Sequence, residues 1–239
     1  MPEAKDKSEG QGSPVNLAIC VPSGDQWYAD FAMSVMSIQQ MLGYHPLSKD
    51  FKHNLINERG SLIAYQRENM ADRALAAGAT HILWLDSDMK LPANLVHHLF
   101  KHDLPVVACN YVKRIIPAMP NSKDMDGKLI ATDRDSHGLV EADSAGFGAV
   151  LVKREVFEKM PKPWFDTVWI NKDGTHEMMG EDVFFFRAMR HFTDYKLYID
   201  HDASQKIGHI GSFTYENYLA SATWDEMDDA EETKARVMG

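Results

Sequence analysis

The alternation of short apolar runs with helix-forming stretches in the first half of the chain leaves few folds open. Asn16-Leu-Ala-Ile-Cys-Val21 is closed by Pro22-Ser-Gly24 and reads as a buried strand ending in a turn. Asp30 to Leu42 follows with Phe31, Val35, Ile38 and Leu42 at helical spacing, and His53 to Asn57 reads as a second strand. Ser61 opens a helix that runs through Ala77 and stops at Gly78. Thr80-His-Ile-Leu-Trp-Leu85 is the next strand, Pro92 to about His102 the next helix, and Pro105-Val-Val-Ala-Cys109 another buried strand. A β-α-β-α-β-α-β order of this kind predicts an α/β fold, with a mainly parallel, Rossmann-like sheet covered by helices on both faces.

The second half changes character. Lys128 to Val140 alternates around Asp133 and Gly138 like a hairpin, and Gly146 to Val152 reads as a strand. Met178 to Phe192 predicts one more helix, and Tyr195 to Asp200 a late strand. The expected organisation is a polar, disordered tail over 1–14, one domain over 15–218 with halves 15–112 and 113–218 sharing a sheet, and an acidic tail over 219–239. That tail contains six acidic residues between Trp224 and Gly239.

Net charge is −10, from 35 acidic against 25 basic side chains, which disfavours polyanions as general partners. Nucleic acid enters the reading only as an acceptor substrate. Cys20 and Cys109 sit in apolar runs and are expected to be buried free thiols. There is no early basic-then-apolar leader and no apolar run long enough for a bilayer, so the expected location is cytoplasmic.

The feature richest in chemistry is Asp86-Ser87-Asp88, which follows Ile82-Leu-Trp-Leu85 without a break. In open α/β sheets ligands bind beyond the carboxyl ends of strands. Continued in the extended direction, the triplet turns both carboxylates one way and Ser87 aside. Two hard oxygen ligands there suit Mg²⁺ or Mn²⁺ with a diphosphate as co-ligand.

The stretch Tyr65-Gln-Arg-Glu-Asn-Met-Ala-Asp-Arg-Ala-Leu-Ala-Ala-Gly78, then Thr80 to Asp88, resembles the core of GT-A glycosyltransferases. The spacing is similar to that of the fungal mannan-polymerase-type mannosyltransferases and related phage and bacterial proteins. Ala145-Gly-Phe-Gly-Ala-Val-Leu-Val-Lys153 resembles their glycine-containing acceptor strand, and Gly180-Glu181-Asp182 their acidic element. His209, within Lys206-Ile-Gly-His-Ile-Gly211, stands where a C-terminal metal-binding histidine is expected.

The resemblance implies a UDP-sugar or GDP-sugar donor, Mn²⁺ or Mg²⁺, and a hydroxyl acceptor. It assigns Asp86, Asp88 and His209 to the metal, and Asp182 to the base that takes the acceptor proton. Glu181 would orient the acceptor or hold the helix start, and in a configuration-retaining enzyme both acids would merely bind sugar. Arg67, Asp86 and Ser87 would hold the nucleotide sugar, with Asn69 and Asp72 as weaker candidates. Pro22, Ser23, Gly24 and Asp25, at the end of the first strand, either contact the nucleoside, glycine allowing close backbone approach, or simply make a tight turn.

Arg67 has no acid three or four positions away, so no helical neighbour pairs with it. His201, beside Asp202, competes with His209 as a ligand. Trp164 and Phe165 either stack on a sugar or, by the more ordinary reading, pack a loop on the core. Trp169 to Met179 reads as a lid. Two alternatives are a nucleotidyltransferase and a binding protein without turnover. The first lacks a basic residue in Pro22-Ser-Gly-Asp-Gln-Trp27, where a phosphate loop would need one.

Overall fold

The computed structural model describes residues 14–218 apart from residue 173. Both expected tails fall almost wholly outside the described residues. Through the first half the elements are β1 (Val15–Ser23), α1 (Ala29–Tyr44), β2 (Phe51–Arg59), α2 (Ile63–Ala76), β3 (His81–Leu85), β4 (Met89–Lys90), α3 (Leu95–Phe100) and β5 (Val106–Ala108). The second half adds β6 (Leu139–Ala142), β7 (Ala149–Lys153), α4 (Arg154–Lys159), β8 (Val168–Lys172), β9 (Thr175–Met179) and α5 (Glu181–Phe192). It ends with β10 (Leu197–Asp200), α6 (His201–Ser204), β11 (Gly208–Ile210) and β12 (Thr214–Glu216).

One seven-stranded sheet, in the order β2-β1-β3-β7-β5-β10-β6, carries the fold. Strands β2, β1, β3, β5 and β10 run one way, and β7 and β6 run against them. This is the α/β, Rossmann-like mixed sheet flanked by helices that the sequence predicts. The two halves of the chain share it by interleaving rather than by lying side by side.

Alternation along the strands sorts the core into two layers. Ala18, Cys20, Ile82 and Trp84 face α2 and α5, where Met70, Ala71, Ala74, Phe185 and Phe186 complete one cluster. Leu17, Ile19, Val21, Leu83 and Leu85 face the opposite way, onto Phe31, Val35, Ile38 and Leu42 of α1 and Leu95, Val96 and Leu99 of α3. Cys20 and Cys109 lie in different layers as free, buried thiols, and burial pushes both thiols up in pKa.

Several elements depart from the sequence reading. β5 does not pair with β3, because β7 inserts antiparallel between them. Ala149 to Val152 are buried on both faces, which only a central strand can satisfy.

The hairpin expected over Lys128 to Val140 is absent; only Leu139–Ala142 is extended, on the edge beside β10. Upstream, the Asp124 carboxylate accepts from the N–H groups of Asp126 and Lys128, and Asp133 accepts from Asp135 and Ser136. These local bonds satisfy the backbone in turns and outcompete a ladder. The helix read within Met178 to Phe192 runs from Glu181 to Phe192, with Glu181 and Asp182 in its first turn, while Met178 and Met179 belong to β9. The segment read as a lid is the β8–β9 hairpin, with Gly174 at φ +83 in its turn.

Gly146 and Gly148 are required by a neighbour. A Cβ on Gly146 would lie 2.1 Å from the Tyr111 hydroxyl oxygen and 2.2 Å from Asn121 Nδ2, and one on Gly148 would lie 2.7 Å from Tyr111 Cε1. The two glycines cradle the Tyr111 ring, while Phe147 between them points into the aromatic cluster. Gly146→Ala is expected to destabilise the protein by about 1–3 kcal/mol through overpacking. Urea unfolding checks it, and Tyr111→Phe in the same background should recover part of the loss.

Candidate functional site

The acidic triplet is a tight turn rather than a continuation of β3. The Met89 N–H donates to the Asp86 carbonyl at 3.3 Å, and the chain reverses into β4. The expectation of strict strand alternation through Asp88 is therefore corrected. Asp86, Ser87 and Asp88 nonetheless line one cleft of about 270 Å³, together with Pro22, Ser23 and Gly24 from the end of β1 and Gly60, Ser61, Ile63 and Gln66.

Two amide side chains fix the β1 end of this cleft. Asn57 Nδ2 donates to the Val21 carbonyl and to Ser23 Oγ, and Gln66 Nε2 donates to the Ser23 and Glu58 carbonyls. Asp25 lies just beyond, on exposed chain outside the cleft lining.

Arg67 is the buried link between the two halves of the site. Its guanidinium donates to Asp86 Oδ1 at 2.7 Å and to Glu181 Oε1, and it lies over the Phe147 ring at 4.8 Å. The side chain is only 2% exposed. No acid stands one helical turn away because its partners come from β3 and α5. Burial opposes its charge, but Asp86, Glu181 and Asp182 outweigh that penalty and raise its pKa.

Asp182 sits in the first turn of α5, where its Oδ1 accepts from the N–H of the next residue, Val183, at 2.7 Å. Burial raises the pKa of both Glu181 and Asp182, with Arg67 opposing.

His209 reaches the triplet through a second sheet. β11 pairs antiparallel with β4 so that His209 stands opposite Met89, and the Ile210 N–H donates to the Asp88 carbonyl at 2.7 Å. The ring's Nδ1 lies 2.8 Å from the Val112 carbonyl, and Nε2 lies 3.4 Å from Asp88 Oδ2. A carbonyl partner makes Nδ1 the protonated nitrogen, so a neutral ring turns an Nε2 lone pair toward a carboxylate.

Arg114 also contacts Asp88, at 3.1 Å. Burial opposes ionisation of Asp88, but a proton on His209 Nε2, which would donate to the carboxylate in place of the lone pair, and the Arg114 guanidinium outweigh it and hold its carboxyl below the usual range.

Tyr111 packs edge-on against His209 at 5.2 Å and feels the charges of Asp86, Asp182 and Asp88. Burial first, and then those carboxylates, push its hydroxyl pKa well up.

Tyr111, Arg114 and Gln66 are the site residues that sequence reading missed. The available signal was weak: Tyr111 and Arg114 sit just past the strand ending at Cys109, as a ligand-facing loop would.

Other candidates have structural partners. Asn69 Nδ2 donates to Glu58, Asp72 pairs with Lys162, and His201 Nδ1 meets Thr132 in a buried network. Trp164 donates from Nε1 to the Phe157 and Met160 carbonyls, and Phe165 stacks on Phe185, which is the packing role for both.

Among the described residues no three His, Cys, Asp or Glu side chains converge as a metal cage, and no helix is long and apolar enough to cross a membrane.

No protein-family model matches the chain, and no curated protein matches it significantly. Solved structures do resemble it. A197 from STIV superposes with a TM-score of 0.54 at 20% identity, over 83% of this chain and 87% of that one. The fold is therefore shared with that protein. The catalytic domain of Drosophila β1,4-galactosyltransferase 7, in complex with xylobiose, gives 0.49 at 15% identity over 83% and 71% of the two chains. A glycosyltransferase involved in glycosylation of the major capsid of PBCV-1 gives 0.34 at 11%, over 63% and 70%.

Two outcomes follow from the burial of these charges. Arg67→Met strands the Asp86 and Glu181 carboxylates and is expected to cost about 3–5 kcal/mol in urea unfolding. Asp182→Asn is expected to stabilise the fold at neutral pH. A carboxylate whose folded pKa is raised loses stability as pH climbs from its unfolded value, about 3.9, through the folded one, and carries that deficit above it. Melting temperatures should therefore favour Asp182→Asn at pH 7 and converge with the parent below about pH 4.

Proposed function

We propose that this chain is a metal-dependent glycosyltransferase of the GT-A type, moving a sugar from a nucleoside diphosphate sugar to a hydroxyl acceptor. One observation carries the reading. The cleft at the ends of β1 and β3 is lined by Asp86, Ser87 and Asp88 and by no lysine or arginine. Arg67 and Arg114 each offset one of these carboxylates, and a cation between the wall and a diphosphate would remove the repulsion that is left.

The donor set suits that cation. His209 Nε2 and Asp88 Oδ2 are 3.4 Å apart, near the roughly 3 Å between neighbouring ligands of one octahedral ion at 2.0–2.1 Å. An imidazole ligand favours Mn²⁺ over Mg²⁺. With two or three protein ligands available, donor phosphates and water would complete the shell. When bound, the ion would offset the charge that builds on the departing nucleoside diphosphate.

The remaining roles fall to the chain's own residues. Pro22, Ser23 and Gly24 form the wall that receives the nucleoside, and Asp25 stands at its rim. Whether the base is uracil or guanine, Ser23 and the backbone there provide the hydrogen bonds. Arg67 is a positioning residue: it holds Asp86 toward the cleft and Glu181 at the head of α5.

Asp182 takes the proton as the acceptor oxygen bonds to the anomeric carbon and the bond to the diphosphate oxygen breaks. Burial raises its affinity for that proton, which brings it closer to the working pH of a general base. Glu181, paired to Arg67, orients the acceptor beside it.

Asp88→Ala should lower Mn²⁺-dependent hydrolysis and transfer from UDP- or GDP-sugars by at least about 10²-fold with the melting profile retained. Asp182→Asn should lose about 10²–10⁴-fold in kcat with little change in nucleotide binding. Full activity of Asp88→Ala in the presence of metal would refute the reading.

A further inference from the structure

Beside the polar cleft lies a larger and more apolar one of about 540 Å³, within the roughly 300–1,000 Å³ span of small-molecule pockets. Its walls are the start of α2, with Leu62, Ile63 and Tyr65, and the loop bearing Pro163, Phe165 and Asp166. Ser61 and Ile63 line both clefts, so the two adjoin. We infer that this second cleft is the acceptor subsite and that it takes a neutral glycoside, its ring laid against Tyr65 and its hydroxyls toward Asp166. The assignment rests on the donor reading of the polar cleft.

Three observations favour that occupant. Leu62 and Tyr65 are 71% and 64% exposed at adjoining positions, an apolar ledge left open to water. A sugar ring has an apolar C–H face and a hydroxyl rim, which an amphipathic tyrosine and a carboxylate match.

The charges on the lining are negative. Glu68 accepts from the Trp164 and Phe165 N–H groups, and Asp166 Oδ1 accepts from the Thr167 N–H. Lys162, next to Pro163 of the wall, is held by Asp72 and Glu68. A nucleic acid therefore meets repulsion at this wall.

The wall is also tied to the chemistry. Phe165 stacks on Phe185 of α5 at 4.9 Å and packs edge-on to Trp84 of β3 at 5.2 Å, the helix whose first turn carries Asp182 and the strand that leads to Asp86.

The test uses the full chain with p-nitrophenyl and methyl glucosides, galactosides and mannosides, p-nitrophenol alone, and a single-stranded oligonucleotide, read by saturation-transfer NMR and calorimetry. At least one glycoside should bind, and Tyr65→Ala should weaken it by about tenfold or more, while Mn²⁺-dependent affinity for UDP or GDP stays within about twofold.

Binding of p-nitrophenol as tightly as its glycosides, displacement by the oligonucleotide, or no effect of Tyr65→Ala would each overturn the inference. Parallel loss of nucleotide affinity in that variant would overturn it too, by giving the cleft to the donor. Nucleotide binding without any glycoside binding sinks this inference alone. Glycoside binding at Tyr65 with no nucleotide-sugar binding keeps the cleft and sinks the donor reading instead.

Discussion

Everything at the site is arranged around one buried guanidinium. Arg67 joins the end of β3 to the start of α5 through Asp86 and Glu181, and Phe147 closes its face. Arginine suits this place because its planar fork serves two carboxylates in fixed directions and its charge persists when water is excluded. One Arg67 cation stands among Asp86, Glu181 and Asp182, so the interior is left net negative. Burial raises the two acids of α5, the neighbouring carboxylates add to it against the pull of Arg67, and the surplus faces the cleft through Asp86. The same pairing that holds the fold together therefore sets the electrostatic demand of the site.

A second constraint is steric. Gly146 and Gly148 look like a flexible motif, yet they serve close packing: each leaves room for the ring of Tyr111. Tyr111 in turn backs His209, whose position is fixed by the ladder from β11 to β4. The triplet's turn, the short β4 and the late β11 thus form one device. It carries a residue more than a hundred positions downstream to within 3.4 Å of Asp88.

The sheet was legible because its strands are continuous apolar runs bounded by glycine and proline, and because α1 and α2 have clear helical spacing. The triplet was legible for the same reason, since β3 leads straight into it. What stayed hidden depends on pairing between distant segments. Nothing local says that Ala149 to Val152 will slide between β3 and β5, or that Arg67 will find acids in β3 and α5 rather than on its own helix. The Lys128 to Val140 segment misled because its polar–apolar alternation imitates a strand, whereas Asp124 and Asp133 bind their own backbone. His209 was placed by its glycine neighbours and by resemblance; its contact with Asp88 is a tertiary fact that no periodicity encodes.

Arg114 gives the site a further consequence on the proposed reading. It occupies the Asp88 carboxylate at 3.1 Å while remaining 43% exposed, so a cation seated on Asp88 and His209 must compete with it. A guanidinium released from that carboxylate would be a positive charge next to Asp88, in a cleft whose lining itself has no lysine or arginine. A diphosphate entering with its cation would then meet a second positive charge, freed by the act of loading. Metal and donor would bind as a unit more readily than either alone, because each removes a repulsion that the other faces.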